Sequence, residues 1–321
     1  METEKILTVE NLTKVFYKKN GEAHTAVDGV SFDLFKGEIF SFLGPNGAGK
    51  STTINMLTTQ LSTTGGEIYF QGTSLHDNPI YARSKVGIVA QHNNLDRGLT
   101  AIENLIYHGI YFGMSKSDAK KRAEELLKDF GLTDWKNEYV KSFSGGMAQR
   151  LKIARAIMHR PDILFLDEPT TGLDPAYREV LWEHVLRLKN EYQTTVFLTT
   201  HYMEEPERFS DRVAIYNKGK IKAIGTVEEL RKLVPSESIV TLQLEELPPL
   251  AMKEILLLDG VNNVSQKDEK TLIVYVSESK SILNRLINWV EERKLILENI
   301  NLSTTTLDDI FIYLTNDKKE N

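Results

Sequence analysis

Two short runs in the chain carry the residue types that chemistry on a multiply charged phosphate needs. The first is Gly44-Pro45-Asn46-Gly47-Ala48-Gly49-Lys50-Ser51, placed between the apolar strand-like residues 38–43 and the helix-like residues 51–60. Glycines in such a loop let backbone N–H groups turn inward on a phosphate, and the helix N-terminus adds a favourable dipole potential. Lys50 supplies a mobile point charge for the β- and γ-phosphates. The Ser51 hydroxyl is suited to ligate a Mg²⁺ ion that bridges them. A plain glycine-rich turn from strand to helix would have no use for either side chain.

The second run, Ile163-Leu164-Phe165-Leu166-Asp167-Glu168, reads as an apolar strand that delivers two carboxylates at its C-terminal end, where ligands of α/β sheets collect. Asp167 is suited to the Mg²⁺ shell. Glu168 is suited to polarise an attacking water as general base, a role that typically contributes about 10²- to 10⁴-fold. A solvated strand end accounts for one such acid more readily than for two.

The elements that must position these groups follow from hydrophobic spacing. Residues 6–9 and 27–34 read as short strands around the polar loop 18–25, an antiparallel opening. Residues 99–132 carry Ile102, Leu105, Ile106, Ala123, Leu126, Leu127 and Phe130 at helical spacing, which predicts a helical insertion at about 92–142. Gln91 ends the apolar strand 86–90, and Ser144-Gly145-Gly146 opens a helix reaching Ile157. The continuous apolar strands 163–166 and 195–198, separated by a helix over 178–190, imply a parallel sheet covered on both faces.

A first domain over 1–234 is expected to end in a helix over 227–233. Pro235-Ser236-Glu237-Ser238 then reads as a linker, and residues 239–321 as a second domain. Strands 239–244, 261–265, 271–276 and 296–302 with helices 250–258 and 280–292 give a split βαββαβ order, a small ferredoxin-like α+β domain. A last helix starts at Thr306, with Asp309 completing a capping box.

Composition narrows the function classes. A formal net charge of −6 gives no general attraction to nucleic acid or anionic lipid, so no nucleic-acid partner is expected. The chain has no cysteine, which excludes disulfides and thiolate chemistry and suits the cytoplasm. The opening Met1-Glu2-Thr3-Glu4-Lys5 lacks a secretory pattern, and nowhere do about 18 apolar residues run together. Action at a membrane would then depend on another protein.

In order along the chain stand the phosphate loop, Gln91, Ser144-Gly145-Gly146, Asp167-Glu168, Gly172-Leu173-Asp174 and His201. This order resembles the ABC ATPase family over residues 7 to about 233. The resemblance implies an α/β P-loop fold of ABC type: a mixed sheet, a small antiparallel N-terminal sheet and a helical subdomain. It implies an ATPase with ATP and Mg²⁺ as cofactors. Phe16, Gly44, Asn46, Gly47, Ala48, Gly49, Lys50, Ser51 and Thr52 would contact the nucleotide, Phe16 or its neighbour Tyr17 by stacking on adenine. Glu168, His201 and Gln91 would be catalytic, and Ser51, Gln91 and Asp167 would hold the metal. Ser144, Gly145, Gly146 and Asp174 would act across a dimer interface on the nucleotide of the other subunit, in a homodimer or a heterodimer with a related ATPase.

The sequence departs from the family at Phe143 and Met147, where leucine and glutamine are usual; the Ser-Gly-Gly core is unaffected. The helical insertion is where the family receives a membrane permease, with Leu95, Leu99, Tyr107, Tyr111 and Phe112 as groove candidates that could equally be core. The C-terminal extension is similar to that of ABC-2-type exporter subunits, including drug-export ATPases. An export motor peripheral to the cytoplasmic face of the membrane is therefore expected. The alternatives are an importer motor, or a soluble ABC ATPase acting on ribosomes or nucleic acid. Ribosomal types usually carry two ATPase cores on one chain, and DNA-repair types split the core with long coiled coils; neither feature is present.

Overall fold

Continuous apolar strands can be stable only where both sheet faces are covered, and a computed structural model shows that arrangement. It describes residues 4–91, 94–234, 238–276 and 279–315. The chain divides into two units, Met1–Ile224 and Gly225–Asn321.

In the first unit a six-stranded sheet runs in the order Lys220–Gly225, Arg212–Asn217, Ile39–Leu43, Thr195–Thr200, Ile163–Asp167, Val86–Val89. The pairings from Arg212–Asn217 to Val86–Val89 are parallel. Every residue of Ile39–Leu43, Ile163–Asp167 and Thr195–Thr200 is buried. Because side chains alternate between faces, each strand feeds two cores. Ile39, Leu164, Leu166, Val196 and Leu198 join the core shared with the helical insertion and the helix Pro175–Tyr192. Phe40, Phe42, Ile163, Phe165 and Phe197 join the core beneath the helix Lys50–Leu57 and the antiparallel sheet.

That antiparallel sheet has the order Ala23–Phe35, Lys5–Tyr17, Gly65–Phe70, Thr73–Ser74. Its two long strands extend well beyond the expected segments. Register shifts between Val9 and Leu12 and on through Val15 break the alternation that a sequence reading follows. The strands Arg212–Asn217 and Lys220–Gly225 carry no expectation at all. They are joined by Lys218-Gly219, both with positive φ (49° and 76°), the two-residue hairpin turn that favours glycine.

The insertion holds the helices Ala101–Tyr111 and Lys116–Asp129, followed by short 3₁₀ turns at Thr133–Trp135 and Val140–Ser142. Thr100 and Glu103 form a reciprocal capping box, and Ser115 caps the second helix. Leu95 is buried in the core with Leu105 and Leu126, so it cannot serve a partner; Tyr107 and Tyr111 are exposed. Phe112 instead stacks on His159, with ring centroids 3.8 Å apart.

His108, His159 and His184 make folding sensitive to acid. Burial, reinforced by Arg155 and then His159, pushes His108 down to about 3. Burial likewise holds His159 and His184 below the usual value. An unfolded histidine takes up its proton near pH 6.5, so below that pH the unfolded chain binds protons the folded chain refuses. The stability these neutral histidines preserve at neutral pH is thus lost as pH falls from about 6.5, for His108 down to about 3. The melting temperature should fall between about pH 7.5 and about pH 5, before most carboxylates titrate. Equal melting temperatures at those two pH values would contradict this.

The second unit opens with the helix Val227–Arg231, which packs on the last helix, Leu307–Thr315. This contact places the division ahead of the boundary expected at 234. Residues 235–237 of the expected linker lie outside the described residues, and Ser238 begins a strand. The antiparallel sheet Val261–Gln266, Thr271–Val276, Ser238–Leu244, Leu297–Thr304 has the strand order of a split βαββαβ unit, with helices Ala251–Leu256 and Ser279–Glu292. The Thr306 hydroxyl and backbone N–H both bond the Asp309 carboxylate, the expected capping box. Among the described residues no helix is long and apolar enough to cross a membrane.

Candidate active site

The loop after Ile39–Leu43 can be traversed only by glycine at key points. A Cβ on Gly44 would lie 2.0 Å from the Tyr216 carbonyl oxygen, and one on Gly49 2.3 Å from that of Ala26. Gly49 also has φ 107° and Gly47 φ 79°. Lys50, the first residue of the following helix, folds back so that its ammonium donates to the carbonyls of Gly44 (2.7 Å) and Pro45 (3.0 Å). The loop itself thereby fixes the position of the cation.

Lys50 lies 3.5 Å from Glu168 Oε1, and both side chains are over nine-tenths buried. Burial pushes the ammonium below its usual range, while Glu168 and, more weakly, Asp167 pull it back up. Ser51 Oγ donates to Asp167 Oδ1 at 3.0 Å. Around the other Glu168 oxygen, Oε2, stand Thr171 Oγ1 (3.2 Å) and Gln91 Nε2 (3.4 Å) as donors, with His201 Nδ1 at 3.3 Å. That histidine nitrogen is buried and, among the described residues, has no hydrogen-bond partner of its own.

Four groups that are far apart in sequence therefore meet at one carboxylate. Glu168 holds φ 47°, a left-handed conformation that costs a side-chain-bearing residue roughly 1–2 kcal/mol. Its N–H is pinned by both the carbonyl (3.0 Å) and the hydroxyl (3.1 Å) of Thr199.

Phe16, Asn46, Gly47, Gly49, Lys50, Ser51, Thr52, Gln91 and Glu168 line one cavity of about 420 Å³, with His24 and Ala26. Phe16 carries the Lys14 ammonium 5.2 Å from its ring centroid. Tyr17, 72% exposed, is not part of the lining. Gly44 and Ala48 lie in the loop without lining the cavity: Ala48 is core, and its N–H is bound to Pro45 O.

Ser144 accepts from Met147 N at the head of the helix Gly145–Ala156, and Asp174 accepts from Tyr177 N at the head of Pro175–Tyr192. Both thus act as helix caps within this chain. Neither they nor Gly145 and Gly146 line the cavity. Phe143 and Met147 pack partly against the core. Pro206 occupies the first turn of Glu204–Phe209, where its missing N–H costs little.

Thr171 and Thr199 escape a motif reading. The available signal for Thr199 is faint: in the wholly buried strand Thr195–Thr200, the apolar run Val196-Phe197-Leu198 is closed by two hydroxyls, Thr199 and Thr200.

A cavity that joins a phosphate-type loop, a buried lysine and a carboxylate ringed by donors agrees with what is known of similar proteins. The ABC transporter family model matches residues 27–171. The linearmycin resistance ATP-binding protein LnrL of Bacillus subtilis is 37% identical over 311 residues, 97% of this chain and 98% of that protein. The Nod factor export ATP-binding protein I of Ralstonia nicotianae is 36% identical over 310 residues, 97% and 94% of the two chains. Among solved structures, a dimeric ATP-binding cassette in a post-hydrolysis state bound to ADP and Pi superposes with TM-score 0.64 at 32% identity, over 68% of this chain and 98% of that one. The chain therefore belongs to the ABC transporter family, as one of its ATP-binding, ATP-hydrolysing subunits.

Proposed function

We propose that this subunit powers export through a separate membrane permease, with Glu168 as the general base for ATP hydrolysis. The carrying observation for the chemistry is the convergence of Lys50, Gln91, Thr171 and His201 on Glu168. In this reading Lys50 and the loop amides hold the β- and γ-phosphates. Glu168 takes the proton of the attacking water, Gln91 orients that water, and His201 meets the γ-phosphate. Phe16 stacks on adenine, since it and not Tyr17 borders the cavity.

The residues present suit Mg²⁺. That ion is usually held by one or two carboxylates plus substrate phosphates rather than by an all-protein cage. Among the described residues no group of three or more His, Asp or Glu could cage a metal alone. Ser51 and Asp167, already hydrogen-bonded, would hold it, with Gln91 nearby. Bound there, Mg²⁺ would neutralise charge on the phosphates.

Ser144, Gly145, Gly146 and Asp174, which stay away from their own cavity, act in this reading on the nucleotide of a second ATPase subunit in a head-to-tail dimer. Export, as opposed to import or soluble work, is supported by near full-length similarity to relatives named for resistance and export. The subunit would work on the cytoplasmic face of the membrane.

Reconstitution tests the export reading. The subunit is combined in lipid vesicles with a candidate membrane permease, and candidate substrates are screened for stimulated ATP hydrolysis. Stimulation that requires both permease and substrate is expected. Co-purification with ribosomes at moderate salt and no stimulation by the permease would overturn it.

A further inference from the structure

We infer that Thr199 is a positioning residue for ATP hydrolysis, its single hydroxyl fixing Asp167 and Glu168 relative to one another. Thr199 is completely buried near the end of the strand Thr195–Thr200, paired with Asp167 at the end of the neighbouring strand, which Glu168 directly follows. Its Oγ1 stands 2.6 Å from Asp167 Oδ1 and 3.1 Å from Glu168 N. The donor assignment is forced. An ionised carboxylate only accepts and a backbone N–H only donates, so the hydroxyl gives its one proton to Asp167 and accepts from Glu168. At 2.6 Å the first bond is of the short, charge-assisted kind.

Two consequences follow from this placement. Asp167 Oδ1 is gripped by Ser51 on one side and Thr199 on the other, which fixes the carboxylate that faces the helix of the phosphate loop. Glu168 is held in its left-handed conformation by a bifurcated bond to the same residue, and that conformation directs its carboxylate at Lys50, Gln91 and His201. Thr199 touches none of these groups' reacting atoms itself. It acts through two neighbours at once, one assigned to the metal and one to the water, and so rests on the roles given to them under Proposed function.

The test compares Thr199→Val, which keeps shape and removes the hydroxyl, with Thr199→Ser, which keeps the hydroxyl and removes the methyl. Partners of this kind typically contribute about 10- to 100-fold to activity or metal affinity. The Val variant should lose about that much in kcat and require more Mg²⁺ for half-maximal rate, with the KM for ATP changed by less than about threefold. The Ser variant should restore most of both. If Val does not fold, Thr199→Ala against Thr199→Ser gives the same contrast.

Wild-type kcat and Mg²⁺ dependence in the Val variant would overturn the inference. So would a Ser variant as impaired as Val, which would make the methyl group's packing the cause. Glu168→Gln separates this from the underlying reading. Normal turnover in that variant sinks the general-base role, whereas an inactive Glu168→Gln beside a fully active Thr199→Val sinks only the role of Thr199.

Discussion

Replacing Glu168 with Gln is expected to stop steady-state ATP hydrolysis, with a loss of about 10²- to 10⁴-fold, while ATP binding should persist or strengthen. The amide keeps the shape of the carboxylate and can still accept from Thr171 and Gln91, but it cannot take a proton from water. It also removes a negative charge 3.5 Å from Lys50, at the place where the γ-phosphate would add its own. Without nucleotide, Lys50 is left with less compensation in a buried position, so the melting temperature falls; saturating ATP then raises it more than in the wild type. A dimer persisting in ATP on size-exclusion chromatography is the further expected result. Steady-state hydrolysis at the normal rate would remove Glu168 from the general-base role.

Lys50→Ala is expected to act one step earlier, on binding. Truncating one partner of a buried, hydrogen-bonded charge pair costs about 2–5 kcal/mol, which corresponds to roughly 30- to 5,000-fold in the Kd for ATP. The Gly44 and Pro45 carbonyls that now receive the ammonium would also lose their donor, so the loop loses order along with charge. Calorimetric titration with ATP reads the first effect directly. ATP bound as tightly as by the wild type would show that the lysine does not hold the phosphates.

The sheet and the phosphate loop are legible in the sequence because burial on both faces leaves runs such as Ile163-Leu164-Phe165-Leu166 that nothing else explains. The N-terminal strands are shortened in such a reading because Asn11, at φ 50°, interrupts the alternation without ending the strand. Arg212–Asn217 is a short strand that follows a helix without a strong turn signal on its leading side. Leu95 shows the limit of surface arguments: a leucine after a polar loop can belong to a partner groove or to the core, and only packing decides.

The site shows the same division. Lys50, Asp167 and Glu168 announce themselves because ionisable groups beside apolar strands demand a reason. Thr199 does not, since a threonine in a strand is ordinary β-former composition and its hydroxyl acquires meaning only when the neighbouring strand is in place.

The two faces of the six-stranded sheet differ in texture as well as in what covers them. On the side of the phosphate loop the sheet presents Phe40, Phe42, Phe165 and Phe197, which interlock with Phe32 and Tyr216 at centroid separations of 4.8–5.9 Å. On the side of the helical insertion it presents Ile39, Leu164, Leu166, Val196 and Leu198. Interlocked rings resist sliding, because each displacement breaks an oriented contact, whereas aliphatic side chains exchange one contact for a similar one. Sliding on the first face would break oriented ring contacts that the second face lacks, and it is the second face that lies toward the layer bearing the exposed Tyr107 and Tyr111.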